Sequence, residues 1–202
     1  MTQETTWGSF PEFQDDYIRL IPLERQHQDA LLQAAGDGNL WELWYTSVPS
    51  AATITAYMEK ALMEQKEGKA QAFAVVLRAT NTIIGSTRYC NMDKINLRLE
   101  IGFTWYAATH QRTSVNTRCK YLLLQHAFES LHCNTVEFRT NWHNHTSRAA
   151  ILRLGAKQDG VLRNHRLLPD GSLCDTVVFS ITKVEWPALK RSLLHRKERH
   201  NV

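Results

Sequence analysis

The sequence predicts a single mixed α/β domain, and three observations carry that prediction. First, 202 residues, 43% of them hydrophobic and 22% charged, suit one soluble domain with a substantial core. Second, period-two strand patterns alternate with amphipathic helical stretches along the whole chain. Third, no internal repeat, linker or low-complexity segment divides it.

Tyr17-Ile18-Arg19-Leu20-Ile21 reads as the first strand, followed by a helix over 24–35 that Gly36-Asp37-Gly38-Asn39 breaks. An aromatic connection, Leu40-Trp41-Glu42-Leu43-Trp44-Tyr45, leads to a helix from Thr53 to Glu67, ended by Gly68. Residues 72–79 and 83–89 form a hairpin about Asn81-Thr82. In the next strand Leu97, Leu99, Ile101, Phe103 and Trp105 alternate strictly, which places Arg98, Glu100, Thr104 and Tyr106 on the other face. A helix follows with Cys119, Leu123 and Ala127, and beside them Leu124, Phe128 and Leu131, on its buried side. Residues 135–140 read as a strand and 144–154 as a helix closed by Gly155. A hairpin of 161–168 and 173–181 turns at Pro169-Asp170-Gly171, and Pro187 suits the first turn of a terminal helix.

Composition also narrows function. No apolar run is long enough to cross a bilayer, and Met1 to Asp16 lacks the features of a signal peptide, so a cytoplasmic protein is expected. Cys90, Cys119, Cys133 and Cys174 show no metal-ligand spacing, and the nine histidines form no zinc-type cluster. No metal is expected. The net charge of +4 owes much to Lys190, Arg191, Arg196, Lys197 and Arg199, which read as a solvated helix end rather than a nucleic-acid module.

The stretch from Trp105 to Phe128 is the most informative. A strand runs into a short polar turn that opens onto an amphipathic helix. Free N–H groups and the dipole at such a helix start favour anions. An ordinary helix start capped by Asn116 or Thr117 would account for the same residues. Glu100 stands just upstream, and Asn144-His145-Thr146-Ser147 opens a second helix downstream. Together these features point to group transfer from a phosphate-bearing donor.

On these residues the chain resembles the GNAT acetyltransferases, in particular the branch of ribosomal-protein alanine N-acetyltransferases. Gln111-Arg112-Thr113-Ser114-Val115-Asn116 lies over the family's pyrophosphate loop, with Ser114 and Asn116 where the family pattern has glycine. Asn144-x-x-Ser147, followed by Ala149-Ala150-Ile151-Leu152-Arg153-Leu154-Gly155-Ala156, matches more closely, and the resemblance spans about residues 17–181.

The resemblance implies a GNAT fold: a twisted mixed, mostly antiparallel sheet flanked by helices. Its bounds would be 17–183, between an N-terminal extension (1–16) and a basic C-terminal helix or tail (184–202). It implies an acetyl-CoA-dependent N-acetyltransferase acting directly on a primary amine; a monomer or homodimer is expected. The acceptor would be a protein or peptide N-terminus or a small amine. A non-catalytic acyl-CoA-binding or sensing protein of the same fold is the alternative.

Site residues follow from the same resemblance. Gln111, Arg112, Thr113, Ser114, Val115, Asn116 and Thr117 would hold pyrophosphate, and Phe103 on the strand of Leu97 to Trp105 would contribute to the donor site. Asn144 would bond the pantetheine arm. Ser147 would lie near the sulfur as proton donor, because Ile151 stands where much of the family has tyrosine. Glu100 is the candidate base, ordering a water that takes the ammonium proton, although pairing with Arg88 or Arg98 would explain it equally. Trp41, Trp44, Tyr45 and Arg88 are assigned to the acceptor, with one of these tryptophans expected in the core. Cys119 lies on an apolar helix face with no activating base in sight and is expected to be packing only.

Overall fold

A computed structural model describes residues 7–8 and 10–199. The outer parts of the expected extension and tail (1–6, 9 and 200–202) lie outside the described residues. Strands β1 (Phe13–Gln14), β2 (Ile18–Pro22), β3 (Gln71–Leu77), β4 (Thr82–Asp93), β5 (Arg98–Tyr106), β6 (Thr135–Asn141), β7 (Lys157–Leu167) and β8 (Leu173–Thr182) form one sheet. Their order is β1-β2-β3-β4-β5-β6-β8-β7. Every neighbouring pair is antiparallel except β5 with β6.

The helices are α1 (Gln28–Gly36), α2 (Ile54–Lys66), α3 (Val115–Gln125), α4 (His145–Leu154) and α5 (Trp186–Arg199). On one face of the sheet Leu99, Ile101, Val136 and Phe138 pack with Cys119 and Leu123 of α3, Ile151 of α4 and Leu193 of α5. On the other face Leu31, Met58 and Ala61 of α1 and α2 pack with Ala72, Ala74 and Trp105. Ile54, Met58 and Ala61 are the buried positions of α2, at the spacing that puts residues on one helix face.

Helix α4 shows both of its end signals. The Asn144 side chain accepts a hydrogen bond from the Ser147 N–H at 3.0 Å, and Gly155 closes the helix at φ +97°. The positive φ requires glycine; a Cβ on Gly155 would also meet the end of the Leu189 side chain on α5, which would have to shift.

Part of the expected N-terminal extension and much of the basic tail belong to this framework. β1 pairs with β2, and Asp15 and Asp16 hold the buried Arg118 of α3 at 2.8 and 2.6 Å. Lys197 of α5 meets Asp15 at 3.0 Å, and Lys190 meets Glu129 at 2.6 Å. These cations are engaged in intramolecular pairs.

The expected alternation along β5 is broken. Leu99 and Ile101 share one face, packed against α3, but Trp105 lies in the core with α1 and α2, and Tyr106 returns to the α3 side. The cause is a bulge: the β4–β5 register shifts between the Ser86–Trp105 and Arg88–Gly102 pairs, and Phe103 adopts φ +49°. One extra residue reverses the parity of every side chain beyond it. A non-glycine residue in the left-handed region is also a strained one.

Candidate active site

β5 and β6 pair only over Arg98–Thr135, Leu99–Val136 and Glu100–Glu137, although both strands continue well past those positions. The sheet therefore opens there into a wedge. The end of β5, with its bulge at Phe103, forms one side of this opening. The end of β6, running to Asn141 and the turn before α4, forms the other.

The polar turn between β5 and α3 lies beyond the end of β5. Gln111, Arg112 and Thr113 are exposed, and the Gln111 side chain donates to the Tyr106 carbonyl at 3.0 Å, tying the turn back to the strand. Thr113 Oγ1 donates to the His110 carbonyl and accepts from the Val115 N–H. The N-cap is Ser114, not Asn116 or Thr117, both of which lie inside the first turn of α3. The Ser114 side chain makes no capping bond; its hydroxyl accepts from Arg118 Nε at 3.3 Å. The first N–H groups of α3 thus lack side-chain caps, apart from that of Val115. Ser114 has φ −70° and Asn116 is helical, so neither position needs glycine for its dihedrals. Arg112 alone takes a left-handed conformation, at φ +60°.

Glu100 lies on the α1/α2 side of the sheet and is 7% exposed. Asn91 Nδ2 donates to its Oε2 at 2.8 Å, and Arg139 Nε stands 3.6 Å from the same oxygen. Neither expected cross-sheet partner takes it: Arg88 pairs with Glu64 at 2.9 Å, and Arg98 reaches Glu137 at 3.4 Å. Burial raises the Glu100 carboxyl above the usual carboxylate range, with Asn91 and Arg139 pulling the other way. Gly102 makes room for this carboxylate, since a Cβ there would meet Glu100 Oε1 at 2.9 Å and Cys90 Sγ at 3.1 Å. Below Glu100 the same face carries an open hollow of about 440 Å³ lined by Arg98, Glu137 and Arg139 among others.

Aromatic groups from two directions meet near the end of β6. Trp44 is 56% exposed and touches both Tyr45, at a ring separation of 5.4 Å, and His143, at 5.6 Å. His143 precedes Asn144 in the turn before α4, so this contact joins the α1–α2 connection to that turn. Trp41 instead packs against the core of α1 and α2. Ser147 is half-buried, while Ile151 lies in the main core and supplies no proton donor. Arg88, expected beside the acceptor, is only 1% exposed: its guanidinium lies 4.4 Å over the Phe103 ring, behind the strand edge. Cys119 is fully buried among apolar side chains, and burial pushes its thiol up to about 12.

Sequence reasoning missed Asn91, Arg139 and Lys120. Asn91 and Arg139 meet Glu100 only through strand register. Lys120 carried a signal, standing four residues before Leu124 on the buried side of α3.

Residues 18–157 match the family described as the acetyltransferase (GNAT) domain. The chain is 28% identical over 173 residues to p20 of Bacillus licheniformis, an uncharacterized N-acetyltransferase, covering 84% of this chain and 94% of that one. It is also 28% identical over 177 residues to YdaF of Bacillus subtilis (strain 168), by name a ribosomal N-acetyltransferase, covering 87% and 90%. The crystal structure of a GCN5-related N-acetyltransferase from Brucella melitensis superposes with a TM-score of 0.84 at 29% identity, over 93% of this chain and 85% of that one. No helix of the described residues is long and apolar enough to cross a membrane.

Proposed function

This chain belongs to the GNAT acetyltransferases and uses acetyl-CoA to acetylate an amine, and from that premise we propose that transfer occurs in the wedge between β5 and β6, with a protein or peptide α-amine as acceptor. The observation that carries this reading is the wedge itself, with a buried carboxylate on one face and an uncapped helix start beyond its β5 side.

The N–H groups of the 111–117 segment, with Arg112, hold the donor's pyrophosphate at the start of α3. The pantetheine arm runs down the wedge, where Asn144 meets it through the amide nitrogen left free when its oxygen caps α4. The acceptor amine then attacks the thioester carbon, and negative charge develops on the carbonyl oxygen. Backbone N–H groups at the β5 bulge stabilise that charge, in a site where fixed dipoles need no reorganisation. Glu100, through an ordered water, receives the proton lost by the amine. Its raised proton affinity makes it a better base than an exposed carboxylate. The C–S bond breaks, and the departing thiolate takes a proton through Ser147, whose hydroxyl regains one from solvent.

Trp44, Tyr45 and His143 form the acceptor wall. An exposed aromatic surface open to solvent suits an extended chain end better than a small enclosed amine. The name of YdaF, a ribosomal N-acetyltransferase, supports a protein acceptor.

The test is competition among acceptors with mass detection of the acetylated product. Short peptides with free N-termini should be acetylated on the α-amine, and the same peptides with blocked N-termini should not react. A small amine acetylated with higher kcat/KM than every peptide, or acetylation confined to lysine side chains, would overturn the peptide reading.

A further inference from the structure

Behind the strand edge that would hold the thioester lies a charged group with no role in the transfer as described. Lys120 projects from α3 toward β4 and β5 and is only 4% exposed. Its Nζ donates to Thr104 Oγ1 and stands 3.5 Å from Thr87 Oγ1, and those two hydroxyls share a hydrogen bond of 2.8 Å. No carboxylate lies within ion-pair distance of Lys120 among the described residues. Desolvating an ammonium without a counter-ion costs several kcal/mol, so folding alone gives no reason to bury one here.

Its location suggests a reason. Thr104 is the residue that follows Phe103, where β5 bulges and the backbone takes φ +49°. On the opposite face of the sheet the Arg88 guanidinium covers the Phe103 ring at 4.4 Å, its charge balanced by Glu64. The bulge is therefore held from both faces by buried cations, and the one beneath Thr104 has no counter-ion. A strained backbone keeps one geometry only when its surroundings over-determine it.

We propose that Lys120 is a positioning residue for acetyl transfer: through Thr104 and Thr87 it fixes the β5 bulge so that backbone N–H groups there meet the developing oxyanion, and its unbalanced charge strengthens their field. The inference rests on the reading of the β5–β6 wedge as the transfer site. Lys120 donates to the Thr104 hydroxyl, so its contact with the bulge runs through that side chain. Its effect is confined to the transition state, where charge appears on the carbonyl oxygen, and it leaves ground-state binding of either substrate alone.

Lys120→Met keeps the length of the side chain and removes its charge. In this variant kcat should fall about 10- to 100-fold, less than the roughly 10²–10³ typical of an oxyanion donor itself. The Kd for acetyl-CoA and the acceptor KM should stay within about twofold of wild type, the pattern of an interaction made only in the transition state. Thr104→Val should reproduce the loss, and Thr104→Ser, which restores a hydroxyl, should recover most of the activity. A folded Lys120→Met protein that binds acetyl-CoA normally and turns over at the wild-type rate would overturn the proposal. Should that variant not fold, unchanged kcat in Thr104→Val would overturn it instead. Failure of the wedge reading is a different outcome, since acetyl-CoA in a crystal structure of the wild-type complex would then lie away from the end of β5.

Discussion

If Lys120 is buried as a cation, its charge must appear in the pH dependence of stability, independently of any catalysis. Burial lowers its amine from the ordinary 10.5 to about 8, with the neighbouring Cys119 and Cys90 acting in the other direction. Between those values the unfolded chain holds a proton that the folded chain has released. Stability must therefore rise with pH across that window. Below about pH 8 both states are protonated and the folded state bears the whole cost of burial; above 10.5 it bears none. At about 1.36 kcal/mol per pKa unit, the difference is on the order of 3 kcal/mol.

Other groups oppose it in the same window. Buried Cys90, Cys119, Cys133, Tyr89 and Tyr106 all keep their protons longer when folded, and each loses stability as pH rises. The readout is thus the difference between wild type and Lys120→Met in urea unfolding, which cancels those shared terms. Any stability advantage of Lys120→Met should shrink by on the order of 3 kcal/mol between about pH 7.5 and 10.5. Parallel curves would refute the reasoning, because the Lys120 amine would then ionise as an exposed lysine does.

Glu100→Gln should lower kcat about 10²–10⁴-fold with acetyl-CoA binding intact. The acidic limb of the wild-type rate profile should lie above the usual carboxylate range, since Glu100 must ionise against its burial, and should vanish in the variant. Unchanged turnover would leave Glu100 as a partner of Asn91 and Arg139 alone. Asn144→Ala should lose about 1 kcal/mol of helix-cap stability and bind acetyl-CoA more weakly. Asn144→Asp should keep the cap yet still bind weakly, and normal binding by it would remove the pantetheine contact. Trp44→Ala should raise acceptor KM without changing the Kd for acetyl-CoA, and an unchanged KM would place the acceptor elsewhere.

The framework was legible because its signals are local. The caps of α4, Asn144 and Gly155, stand where the sequence puts them, as do the turn before α3 and the bounds of α2. Strand β5 shows the limit of such reading. Its alternation through Phe103 and Trp105 looks unbroken in sequence, yet a bulge set by pairing with β4 carries Trp105 to the opposite face. The partners of Glu100 were hidden for a related reason: register decides which arginine meets which carboxylate, and Arg139 lies 39 positions away in sequence. Arg88 and Lys120 fail the ordinary expectation that long cations stay in water. Such departures from local rules concentrate at functional sites, and both residues flank the bulge where transfer is proposed.

The central claim is that the β5–β6 wedge is the donor site, and a crystal structure with bound acetyl-CoA tests it most directly. The pyrophosphate should lie on the N–H groups of residues 111–117, the pantetheine arm beside Asn144, and the thioester oxygen within hydrogen-bond distance of the backbone N–H groups at the β5 bulge. Acetyl-CoA bound instead in the hollow lined by Arg98, Glu137 and Arg139, with the wedge left closed to it, would contradict the account.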